Sequence, residues 1–145
     1  MHPMRPDLTR RSGGRFVCAL FAGLTLMGSA RADEPKLAAS MNCGTEPGSG
    51  RLLCTLTLVP DPGRSLSWSD ALVVAAPPAV QPLRARVTST STEPSRIVIG
   101  FVLGSGPGGP IEVLARAVSC PRPGRAGACR PVSARAVFHW DQTPG

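Results

Sequence analysis

The side chains able to do chemistry are few and widely scattered. His139 follows the single early histidine by more than a hundred positions, and no second histidine and no immediately adjacent acid supports a relay, so it reads as an outward-facing polar position on the last strand. Asp61, Asp70, Glu93, Glu112 and Asp141 are too dispersed for their spacing to define an acid/base pair. The serines sit in turn-like contexts, and no G-x-S-x-G elbow is present. GSGPGGP at 104–110 is glycine-rich but lacks the Lys-Ser/Thr of a phosphate loop, so it reads as a connector. No C-x-x-C pair occurs, which argues against a thiolate metal site and against a thioredoxin-like redox centre. The expectation is a protein that is not an enzyme, with no catalytic residue, no metal and no cofactor.

Arginine is the one residue type that clusters. Between Arg84 and Arg135 eight arginines face only Glu93 and Glu112. Arg84, Arg86, Arg116 and Arg135 occupy the polar positions of alternating segments and are the candidate anion-binding residues. If their strands share a sheet they form a platform, which Arg122, Arg125 and Arg130 would extend. The planar guanidinium is suited to bidentate contact with carboxylates and phosphates. The competing reading is an ordinary solvated sheet face.

The cysteines carry the second signal. The chain has five; Cys18 lies in the apolar run near the start, within the segment expected to be removed on export, and the remaining Cys43, Cys54, Cys120 and Cys129 form an even set. In an exported domain of this size that implies two disulfides. The intervening segments, GTEPGSGRLL and PRPGRAGA, are rich in turn formers, so the expected pairing is local: Cys43–Cys54 and Cys120–Cys129. The rival pairing has its own motive. Cys54…Trp68…Cys120 resembles the Cys…Trp…Cys spacing of immunoglobulin domains. That resemblance implies a Cys54–Cys120 bridge between two sheets, Trp68 buried against it, and Cys43–Cys129 as the remainder. The chain has no Tyr, so the tyrosine corner of that family is missing.

The elements that must position these groups read as strands. Sixteen Pro and sixteen Gly break the 145 residues into short runs of Val, Ile, Leu, Thr and Ala. No Pro-free stretch after the first thirty-odd residues shows a helical apolar stripe. Seven strands are expected, over 37–43, 51–59, 68–76, 82–90, 95–103, 111–119 and 132–140. Within the fourth, Leu83, Ala85 and Val87 should face one way, and Arg84 and Arg86 the other. The fifth is apolar on both faces and should be central, with Gly100 marking a bulge or a close backbone approach. A short helix is the alternative for 111–119. STSTEPS at 89–95 and GSGPGGP at 104–110 are expected as hairpin loops. The fold class is therefore all-β: one small β-sandwich of about seven strands, with an immunoglobulin-like arrangement left open.

Residues 1–32 read as a secretory signal peptide. Arg5, Arg10, Arg11 and Arg15 precede an uncharged run from Phe16 to Ala30, and Ala30-Arg31-Ala32 supplies the small residues of a cleavage site. The run is shorter than the ~20 residues of a spanning helix, and no transmembrane segment follows. The domain is then 33–145. The whole chain has net charge +7, but after cleavage eleven basic and eight acidic residues remain, net +3. Much of the basicity belongs to the signal, so nucleic acid is not an expected partner. The expected setting is periplasmic or secreted. The expected role is a non-catalytic interaction or accessory module with an unidentified protein or envelope partner, its oligomeric state left open. The alternative is a binder of anionic envelope ligands (polysaccharide, lipid head group or acidic protein surface) through the arginine face.

Overall fold

The computed structural model describes residues 34–141. The expected signal peptide at 1–32 and the end of the tail after Trp140 lie outside the described residues. Among the described residues eight strands are formed: β1 Leu37–Glu46, β2 Arg51–Pro60, β3 Arg64–Ala75, β4 Val80–Pro82, β5 Arg86–Thr88, β6 Arg96–Leu103, β7 Gly109–Pro121 and β8 Arg130–Trp140. No helix occurs among the described residues, and 109–121 is a strand throughout. Two antiparallel four-stranded sheets result, ordered β1-β2-β6-β4 and β5-β3-β7-β8.

Alternation decides which side of each strand is buried. In β2, Leu52, Cys54, Leu56 and Leu58 point inward; in β6, Ile97, Ile99 and Phe101 do; in β7, Ile111, Val113, Ala115 and Ala117 do. These residues join Ala71, Val80 and Ala136 in one core between the sheets, the layering of a β-sandwich. Phe101 is its largest fully buried side chain, and small aliphatics do the remaining filling.

Only two connections remain within a sheet, β1 to β2 and β7 to β8. Each hairpin carries one disulfide, Cys43–Cys54 and Cys120–Cys129. Cys43 faces Cys54 directly in the β1–β2 register. The local pairing is thus the one formed, and the Cys54–Cys120 bridge implied by the immunoglobulin resemblance is not. The neck of the second hairpin is also held by Arg64 of β3. Its guanidinium donates to Ser119 Oγ (2.8 Å), the Ser119 carbonyl (2.7 Å) and the Ala128 carbonyl (3.0 Å). The turn before Arg64 needs Gly63, whose φ is +79° and whose space is bounded by the Arg125 guanidinium.

Three expectations are corrected. The single strand over 82–90 is two three-residue strands in different sheets. Leu83 N–H still bonds Gly100 of β6, whereas the Ala85 carbonyl already accepts from Val73 N–H of β3. The chain changes sheet within this step, so Leu83, Ala85 and Val87 do not share a face. Leu83 instead lies outside β6, where a Cβ on Gly100 would come within 2.9 Å of Leu83 Cδ1. The group that approaches Gly100 is thus a side chain and not a backbone, and the β2–β6 register runs through it without a bulge. Finally, 89–95 and 104–108 are crossings between the sheets and not hairpin loops.

Candidate functional site

The outer face of the β5-β3-β7-β8 sheet gathers the polar side chains that matter. Its geometry begins with an irregularity in β3. The β3–β7 register shifts between Leu66 and Trp68, leaving Ser67 as an extra residue. An extra residue in a strand reverses the sides taken by everything after it. Leu66 packs on the core, and after the bulge Trp68, Asp70 and Leu72 point outward while Ser69 and Ala71 point in. Trp68 is therefore 37% exposed. It is not the buried tryptophan that the immunoglobulin resemblance implies.

Asp70 shares this outer face, yet its side chain has no exposure. Two arginines cover it. Arg116, directly opposite on β7, donates Nε to Oδ1 (2.9 Å) and Nη2 to Oδ2 (2.5 Å). Arg86, from β5 on the other side, brings Nε to 2.6 Å from Oδ2. Hydrogen bonding by Arg116 holds the Asp70 carboxyl below the usual carboxylate range against the opposing effect of burial, with the charge of Arg116 and then of Arg86 adding to it. The same hydrogen bond, donated to Asp70, raises Arg116. The Arg116 and Arg86 side chains nevertheless remain 42% and 55% exposed.

An open groove of about 460 Å³ runs beside this cluster. Trp68, Arg86, Arg116, Val118, Pro131 and Ser133 line it. Its lining offers an aromatic surface, two guanidinium groups held by Asp70, and a serine hydroxyl with no base hydrogen-bonded to it among the described residues.

The four candidate arginines are therefore only partly brought together. Arg86 and Arg116 converge on Asp70. Arg135 lies on the same face, opposite Leu114, and is paired with Glu112. Arg84 sits in the step between the sheets, outside both, and the two-residue spacing that would align it with Arg86 does not operate there. Arg125 packs at Gly63, and Arg130 lines a separate groove of about 600 Å³ with Glu34 and Arg64. His139 is exposed on the outer side of β8, some 20 Å of strand from Ser133. Among the described residues no three His, Cys, Asp or Glu side chains are grouped to hold a metal.

Asp70 and Trp68 are the functional candidates that the sequence reading did not select as a site. The pattern Trp68-Ser69-Asp70 places both on one side of a strand, but its relation to Arg116 follows only from the β3–β7 register. Comparison with known protein families, with curated proteins and with solved structures finds no match to this chain.

Proposed function

We propose that this is a small exported β-sandwich protein without catalytic activity, an interaction or accessory module of the periplasm or extracellular space whose contact surface is the outer face of the second sheet. The observation carrying the proposal is the Arg86–Asp70–Arg116 cluster beside a half-exposed tryptophan. Trp and Arg are the side chains most enriched at binding hot spots. Asp70 orients both guanidinium groups before any ligand arrives, which lowers the ordering cost of binding. Two disulfides suit an oxidising compartment, and among the described residues no helix is long and apolar enough to cross a membrane. In architecture, the six long strands follow the order β1-β2-β6 over β3-β7-β8, the A-B-E over C-F-G order of immunoglobulin-like sandwiches. The short β4 and β5 take the opposite sheets from the strands between C and E in that scheme.

The same cluster favours one mode of contact, recognition of an anionic group on an envelope ligand. The two arginines and one aspartate leave a net local charge of +1, and both guanidinium side chains are about half exposed. Retention of the purified protein on an immobilised polyuronate should fall steeply as salt rises, and Arg86→Ala should reduce it. Asp70→Asn raises the positive charge yet removes the element that orients both arginines, so retention should fall with it too. Stronger retention of Asp70→Asn would show mere charge attraction, and no retention of the parent would end the anionic reading. N-terminal sequencing of envelope material should give a start at or near Asp33; a start at Met1 in the cytoplasm would overturn export.

A further inference from the structure

The sandwich has four edge strands, and they are unequally protected. β4 and β5 have three residues each. β8 carries Arg130, Pro131, Arg135 and His139. Charges, proline and brevity are the usual means of preventing edge-to-edge pairing. β1 has none of them along most of its length. LAASMNCGTE has ten residues, no proline and no charge before Glu46, and it pairs with β2 in unbroken register without a bulge. β8 lies against β1 from the other sheet, but no ladder joins the two.

The hydrogen-bonding phase of the free edge can be read from the disulfide position. Cys43 and Cys54 face each other with Cα atoms 4.0 Å apart, the close spacing of a non-hydrogen-bonded pair. Residues 38, 40, 42, 44 and 46 therefore bond to β2, while 39, 41, 43 and 45 direct their N–H and C=O groups outward.

We propose that β1 pairs with β1 of a second copy, antiparallel about a twofold axis at Met41, joining two four-stranded sheets into one of eight. In this register 39 faces 43 of the partner, and 41 faces its own counterpart, so outward groups meet outward groups. Lys36 of each copy then faces Glu46 of the other. Both side chains are exposed, and neither has an ion pair among the described residues. The β1–β2 register extends the row. Leu37 faces Pro60, so Asp61 falls beside Lys36, and its carboxylate accepts from Lys36 N–H at 2.8 Å. Glu46 faces Arg51. Across the joined sheet the order becomes Asp61, Lys36, Glu46 of the second copy, Arg51 of the second copy, with signs alternating throughout. The twofold axis repeats this row at the other end. Between the rows the outward-facing side chains of β1 are Ala38, Ser40, Asn42 and Gly44, none large or charged enough to oppose the approach. A single isologous contact of this kind closes on itself and leaves no further β1 edge to propagate.

Sedimentation equilibrium of the purified exported protein over a wide concentration range is the test. A monomer–dimer equilibrium is expected. Lys36→Glu or Glu46→Lys alone should weaken it by about tenfold, because each puts like charges opposite in both rows, and the two together should restore most of it. Both positions are exposed, so neither change threatens the fold. Amide exchange at 39, 41, 43 and 45 should slow as the dimer forms. A monomer at every concentration overturns the proposal. So does a dimer indifferent to both single reversals, or one in which those amides exchange unchanged.

Discussion

Replacing Asp70 by Asn tests whether the cluster at the groove is held together as described. The substitution keeps the shape and removes the charge on which Arg116 and Arg86 converge. A buried carboxylate bonded by two cations is costly to disrupt, and a charged hydrogen bond contributes about 1.5–3 kcal/mol. Here both arginines are about half exposed and regain water when released. Solvent screening therefore lowers the expected loss to about 1–2 kcal/mol. For a domain of this size that corresponds to a fall of about 5–10 °C in Tm. The pH dependence sharpens the test. Asp70 is depressed in the folded state, whereas its unfolded value is near 3.9. Its stabilisation is complete above that unfolded value and is lost as pH falls through the lower folded one. Thermal unfolding followed by circular dichroism at neutral pH and at steps down to pH ~2 should show the parent above the variant at neutrality. The two curves should converge only at the acid end. Equal midpoints at neutral pH, or a gap that persists after full protonation, would refute the reasoning.

Other expectations concern the bulge, the brace and two glycines. Trp68→Ala should cost about 1 kcal/mol, because the ring lies on the outer face; a loss of 3–5 kcal/mol in denaturant titration would mean that it serves the core. Arg64→Met leaves the buried Ser119 hydroxyl without its partner, so about 1–2 kcal/mol should be lost and amide exchange across 120–129 should accelerate. Gly63→Ala forces a side chain into φ +79° against Arg125 and should lower stability by about 1–2 kcal/mol. Gly100→Ala crowds only the end of the exposed Leu83 side chain, with Leu53 at ordinary contact distance, and should change stability by less than about 0.5 kcal/mol, both read from denaturation midpoints.

What could be read from the chain depended on how local each determinant was. The disulfides were legible because each closes a Gly/Pro-rich hairpin of about ten residues, so loop length alone distinguished the pairings. The centrality of β6 was legible because Ile97, Val98, Ile99, Phe101 and Val102 are apolar on both faces. The site was less so. Alternation across Leu83–Val87 imitates a strand, yet three-residue strands carry too few side chains for a pattern to distinguish one sheet from the other. One extra residue at Ser67 turned Trp68 outward, and no residue type announces such a bulge. The pairing of Asp70 with Arg116 joins positions 46 apart, and it exists only once β3 and β7 are in register.

The pairing of neighbouring cysteines has a consequence for how the oxidised chain is made. Cys43 bonds the next cysteine to follow it in the domain, and Cys120 bonds the next after that. If the chain is exported as proposed and the leader that holds Cys18 is removed, threading N-terminus first presents the first pair complete, with some sixty-five residues still to come before Cys120. An oxidant acting in order of arrival then makes the native bridges and no others. Maturation should require a donor of disulfides but no isomerase to correct them, and the protein should accumulate fully oxidised in cells that lack one.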